Sequence, residues 1–139
     1  MHIPRPRPPL AAMMLAASLL AAPAARAATV VIVNPKNNLH LPAAQAAQIF
    51  LGKSTRLTPV DLADSSPTRA EFYQKIAGKD QDQMKAIWSK IVFTGRGFPP
   101  REYNTNAEVK RAVAADAGAI GYIDKAAVDE TVKVILILP

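Results

Sequence analysis

Residues 57–77 read Leu57-Thr-Pro-Val-Asp-Leu-Ala-Asp-Ser-Ser-Pro-Thr-Arg-Ala-Glu-Phe-Tyr-Gln-Lys-Ile-Ala77. The first six residues form a strand candidate in which Pro59, lacking an N–H, favours an edge or strand-start position. The chain then turns through Asp64-Ser65-Ser66-Pro67-Thr68, the clearest helix start in the sequence. Ser66 suits the N-cap because its hydroxyl can accept from a free amide of the first turn. Pro67 suits N1, where its missing N–H would be unpaired anyway. Phe72 and Ile76 at i, i+4 set the core stripe, with Tyr73 and Ala77 alongside, and Gly78 stops the helix. A strand passing directly into a helix is the repeating unit of an α/β fold.

The flanking sequence extends the pattern. Thr29 to Val33 is β-branched and apolar throughout, as a strand covered on both faces would be. Leu41-Pro42 opens a short helix to Phe50, with Gly52 at its stop. Asp80 and Gln83 form a capping box, and Met84, Ile87, Trp88 and Ile91 follow at i, i+3, i+4, i+7, which places Trp88 in the core. Residues 94–103 hold two Gly and two Pro and read as an exposed loop. Thr105 and Glu108 start another helix, carried by Val109, Ala112 and Val113 and ending near Gly118. Ala119 to Ile123 and Thr131 to Leu138 complete the strands.

The chain has 139 residues, enough for one domain. Its opening is different in kind. Met1 to Pro9 is basic and proline-rich, Leu10 to Ala22 is an apolar run of 13 residues, and Ala25-Arg26-Ala27 is a small-residue cleavage sequence. That is the order of a secretory signal peptide, and the run falls short of the roughly 20 residues a bilayer span needs. The sequence therefore predicts a signal peptide over 1–27, a domain over 28–139, a periplasmic location and no membrane attachment after cleavage. Arg5, Arg7 and Arg26 account for half of the net charge of +6, so +3 remains in residues 28–139. That balance, without an aromatic RNA-binding motif, gives no reason to expect a nucleic-acid partner. Cys is absent, so packing alone must stabilise the exported domain.

Little in the sequence points to catalysis or to a cofactor. His40 is the only histidine after Ala27 and has no Cys or carboxylate cluster near it, which excludes a His/Cys metal site. No nucleophile elbow surrounds any Ser. Gly52-Lys53-Ser54-Thr55 resembles the tail of a P-loop, but Ala47 stands where the first glycine is required and the preceding segment is helical. The remaining candidate is the helix start at Ser65, Ser66, Thr68 and Arg69. Free amides, hydroxyls and the positive end of a helix dipole suit a tetrahedral oxyanion there. The same residues also suit a plain N-cap.

The order of motifs resembles the phosphate-binding receptors of ABC-type phosphate transporters. The matching pieces are VVIVNP at 30–35, AAQIFLGK at 46–53, SSPTRAEFYQKI at 65–76 and AVAADAGAIGYID at 112–124. The resemblance implies an α/β fold with a mixed sheet flanked by helices, a single lobe of the type 2 periplasmic-binding-protein kind. It also implies phosphate or a related oxyanion as ligand, an ABC transporter or another periplasmic protein as partner, and no enzyme activity. In that family a Ser-Gly-Thr turn holds the phosphate, and the matching residues are Ser66, Pro67 and Thr68. An arginine usually precedes that turn, and the aligned residue is Leu62. Arg69, Arg96 or Arg101 would have to replace its guanidinium. Family receptors close on the ligand between two lobes, whereas 112 residues form one. The resemblance thus leaves two readings: a weakened oxyanion site, with a homodimer as one way to complete the cleft, or a periplasmic protein-interaction or regulatory module that kept the fold, lost the ligand and uses the former cleft face for a protein partner.

Protein recovered from the cell envelope should have an intact mass beginning at Ala28. A full-length, membrane-embedded product would identify residues 10–22 as an anchor instead.

Overall fold

The computed structural model describes residues 2–6 and 28–139; residues 7–27, which carry the apolar run and cleavage sequence of the expected signal peptide, lie outside the described residues. No helix among the described residues is long and apolar enough to cross a membrane. The elements in chain order are β1 (Thr29–Val33), α1 (Ala43–Phe50), β2 (Thr58–Leu62), α2 (Pro67–Ala77), α3 (Gln81–Phe93), β3 (Arg101–Tyr103), α4 (Asn106–Ala115), β4 (Ala119–Asp124) and β5 (Lys133–Leu138). A single turn of 3-10 helix over Lys125–Ala127 follows β4.

The strands form one mixed sheet in the order β3-β2-β4-β1-β5. β2 runs parallel to both β3 and β4, while β1 is antiparallel to β4 and β5. The α/β lobe with helices against a mixed sheet is therefore observed. β1 is wholly buried because it has a strand on either side and helices near it, which is what its unbroken apolar sequence requires.

Two adjacent residues of β4 show how the layers are arranged. Side chains alternate across a strand, so Gly121 and Tyr122 face opposite sides of the sheet. On the Gly121 side lies α4: an added Cβ would stand 2.9 Å from Val109 and from Val60, and 3.1 Å from Val113. Glycine lets that helix sit directly on the sheet. On the other side, the Tyr122 ring stacks on Phe72 of α2 at 3.7 Å and 6°, and Phe50 of α1 meets Phe72 edge-on at 4.8 Å. Tyr73 joins the same aromatic cluster.

The structure refines one reading of the sequence and corrects two others. β2 is an inner strand, yet Pro59 occupies its second position and the β3 ladder begins only at Val60, so proline keeps a strand-start role. The stretch read as loop over 94–103 ends in the short edge strand β3. Its charged residues Arg101 and Glu102 suit an edge that must not pair further. Trp88 is only half-buried: its indole N–H donates to the Phe50 carbonyl at 3.2 Å, and its ring edge leans on Gly52 instead of entering the sheet core.

Gly121→Ala should destabilise the domain by about 1–3 kcal/mol, since the methyl meets packed valines that cannot all retreat. Trp88→Ala should cost about 2 kcal/mol, below the 3–5 kcal/mol of a fully buried aromatic. Urea unfolding of both variants checks this ranking. A larger loss at Trp88 than at Phe72→Ala would place the indole in the core after all.

Candidate functional site

β2, β3 and β4 run parallel, so their C-terminal ends lie along one edge of the sheet. α2 begins beyond β2 and α4 begins beyond β3, and both therefore present their N-termini at that edge. Ligands of open α/β sheets bind in this position because backbone amides and two helix dipoles point outward there.

Ser66 is the N-cap of α2, with its hydroxyl accepting from the Arg69 amide at 3.3 Å. The cap follows from the local sequence: Pro67 fixes the first helical φ, and Ser66 is extended at φ −72° and ψ 122°. Ser65 is exposed one residue earlier. The Thr68 hydroxyl donates to the Asp124 carboxylate at 3.2 Å. From the α4 side, the Asn106 amide donates to the other oxygen of Asp124 at 2.8 Å. Asp124, the last residue of β4, thus bridges the first turns of both helices. The positive ends of two helix dipoles favour a negative charge at this point, and the chain places its own carboxylate there.

Arg69 was expected beside the hydroxyls, and the structure places its side chain elsewhere. The guanidinium turns back under α2, only 8% of the residue remains exposed, and it is enclosed by acceptors. Nη1 donates to the Leu62 carbonyl at 2.8 Å and to Glu102 at 2.7 Å, and stands 3.8 Å from Asp61. Nη2 pairs with Asp64 at 3.1 Å. A guanidinium with these partners does not replace the missing site arginine. Arg96 and Arg101 are not among the residues at the helix starts: Arg101 opens β3 beside Val60, Arg96 lies in the loop leading to it, and both line a separate groove. Of the four site residues expected from sequence, Ser65, Ser66 and Thr68 stand at the helix start; Arg69 contributes only its amide.

What Arg69 does instead is neutralise a buried acid. Asp61 lies in the middle of β2 and is 1% exposed. It accepts from the Tyr73 hydroxyl at 2.5 Å, from the Tyr122 hydroxyl in a very short bond, and from the amide of Leu62 at 2.9 Å. Burial pushes the Asp61 carboxyl above its usual range, while Arg69 and the two tyrosine hydroxyls pull it back part of the way. Both tyrosines are pushed up in turn, first by burial and then by the negative charge of Asp61. For Arg69 burial works against the charged form, but Asp61 and Glu102 outweigh it and hold the guanidinium above its ordinary value. The sequence carried a sign of this cluster, an acid between Val60 and Leu62 in an apolar strand, with Arg69 and Tyr73 spaced i, i+4 on the following helix. Asp124 and Asn106 had no comparable sign, since only the fold brings β4 to two helix starts. No group of three or more metal-ligating side chains occurs among the described residues.

No protein-family model matches the sequence, and no curated protein matches it significantly. Solved structures do match the fold. An ABC-type phosphate transport receptor from Vibrio cholerae superposes with a TM-score of 0.62 at 22% identity, covering 78% of this chain and 45% of the receptor. A protein from Clostridium perfringens, described as a phosphate ABC transporter substrate-binding protein and solved with bound phosphate, gives 0.64 at 21% identity, with 78% and 44% covered. PstS from Borrelia burgdorferi gives 0.59 at 14% identity, with 78% and 46% covered. The chain thus spans less than half the length of the structures it matches, and its likeness to phosphate-transport receptors, expected from the motifs, is one of fold.

Removing Asp61 would leave Arg69 with the more exposed Asp64 and Glu102 as its carboxylate partners, and both tyrosine hydroxyls without their acceptor. Asp61→Ala should therefore cost about 3–5 kcal/mol, and Tyr73→Phe about 1–2 kcal/mol. The pH dependence has a definite sign. A carboxyl raised on folding binds its proton more readily in the native state, so its contribution to stability falls as pH rises from the unfolded to the folded pKa. The stability gap between the natural protein and Asp61→Asn should narrow over that rise. Denaturant midpoints measured through the acid range check this, and a gap that widens with pH would mean that Arg69 depresses the carboxyl.

Proposed function

We propose that this chain is an exported solute-binding domain that holds phosphate or a related oxyanion weakly where α2 and α4 begin. The observation that carries the reading is the convergence of two helix N-termini on the Thr68, Asn106 and Asp124 side chains. The fold shared with phosphate receptors, one of them solved with phosphate bound, supports the choice of anion.

The local chemistry narrows the ligand. Ser66 keeps a free hydroxyl proton and the Thr68 amide belongs to the first turn, whereas Pro67 offers no N–H and the Thr68 hydroxyl proton already goes to Asp124. Asp124 is an acceptor that repels a fully ionised anion but can take a hydrogen bond from one that keeps a proton. Hydrogen phosphate has such a proton near neutral pH and sulfate does not. The arrangement accordingly favours phosphate over sulfate. Charge-assisted hydrogen bonds at about 1.5–3 kcal/mol each, less the costs of ordering and desolvation, leave a net near 4 kcal/mol, or roughly millimolar affinity.

On this reading the protein is a periplasmic receptor-like component and not an enzyme, with a signal peptide over 1–27, a binding domain over 28–139 and an ABC transporter or another periplasmic protein as partner. A second copy facing the same edge would exclude water and tighten binding. A specific observation favours the second reading, a module that kept the fold and lost the ligand: Asp124 already provides the negative charge that the two helix starts attract, and Arg69 is held by Asp61, Asp64 and Glu102.

Calorimetric titration should show millimolar phosphate binding, weaker sulfate binding, and a further loss for Thr68→Ala. Asp124→Asn should abolish the preference for phosphate by admitting sulfate. Silence toward both anions at tens of millimolar would leave the ligand-free module as the better account.

A further inference from the structure

A second site lies at the other end of the parallel strands, away from the helix starts. There the first residues of β2, the end of α1, the end of α4 and the segment 96–100 line an open groove of about 650 Å³. This is ample for a small organic ligand. Much of its wall is apolar, formed by Leu57, Val60, Ile91, Trp88, Phe98 and Tyr103, with Ser54, Thr55 and Thr58 beside them. Trp88 is fixed as one wall by its hydrogen bond to the Phe50 carbonyl. Phe98, also on the lining, is 86% exposed, an aromatic ring left in water beside an apolar space.

The charges at this groove are unequal. Arg96 and Arg101 both line it, and neither forms an ion pair with an acidic side chain among the described residues. Arg101 is steadied over the Tyr103 ring at 5.5 Å, which aligns its guanidinium along the lining. The only acid on the lining is Asp116, whose carboxylate already accepts from the Gly118 amide at 2.8 Å. The carbonyls at the end of α1, which would otherwise favour a cation, are taken by the amides of Leu51, Gly52 and Lys53. A largely apolar groove with two unpaired guanidiniums matches a molecule that is apolar along its length and anionic at one end.

We infer that this groove binds a small amphipathic carboxylate, with its hydrocarbon part against Trp88 and Val60 and its carboxylate at Arg96 and Arg101. The site does not depend on the oxyanion reading, because it lies at the opposite edge of the sheet and shares no residue with Thr68, Asn106 or Asp124. Binding covers Phe98 and changes the surroundings of Trp88, the only tryptophan in the chain.

Decanoate and 1-decanol, which share a ten-carbon chain and differ in charge, test the inference through Trp88 emission of the purified protein. Decanoate should give a saturable change that inorganic phosphate does not displace, and should bind more tightly than decanol. The double variant Arg96→Gln with Arg101→Gln, both at exposed positions, should weaken decanoate about tenfold and leave decanol unchanged. No saturable response, equal weakening of both probes, or indifference of decanoate to the double variant would overturn it. Displacement by phosphate would likewise overturn it, by placing the carboxylate in the oxyanion site.

Discussion

Asp61 and Arg69 form the constraint on which the rest of the domain depends. A carboxylate in the middle of an inner strand is unfavourable unless it is paired and fully hydrogen-bonded, and here one guanidinium, two tyrosine hydroxyls and one backbone amide meet that demand. The partners come from different elements. Tyr73 and Arg69 fix the rotation of α2, Tyr122 fixes β4 against β2, and Glu102 ties in β3 through the same guanidinium. The aromatic rings that carry these hydroxyls also form the stack under α1 and α2. A change in this cluster alters the orientation of α2, and with it the position of Ser66 and Thr68.

That dependence links stability to function. The start of α2 can present its hydroxyls at the sheet edge only because its buried side holds α2 in one orientation. The demand of Asp61 also removes Arg69 from the surface, so the guanidinium of the first turn of α2 faces inward. What remains for an external anion is neutral hydrogen bonding and helix dipoles next to the acidic Asp124. On the proposed reading such a site is weak by construction, and an anion that brings a proton suits it best.

Several features were legible in the sequence because they depend on neighbours along the chain. The start of α2 at Ser66-Pro67, the capping box of Asp80 with Gln83, and the fully apolar β1 all appear where local chemistry puts them. Those that were not legible depend on residues far apart in the chain. Arg69 sits in a helix start that suits an anion, and only the pairing of β2 with β3 reveals Glu102 as its partner. Trp88 belongs to an apolar helical stripe, yet the loop 94–100 stands off from it, leaving the indole as a groove wall and not a core residue. Asp124 closes an apolar strand without any periodic signal, and its role arises from the meeting of two helices. The elements of the lobe were thus visible in the sequence, while the contacts of its charged residues were not.

The proposed function requires that the domain meets an anion at the edge where α2 and α4 begin. Backbone amide chemical shifts followed during a phosphate titration test it most directly. The largest changes should fall at Thr68, Arg69, Asn106 and Asp124, saturating together in the millimolar range. Changes centred elsewhere, or amides at these four positions that do not respond while others do, would contradict it.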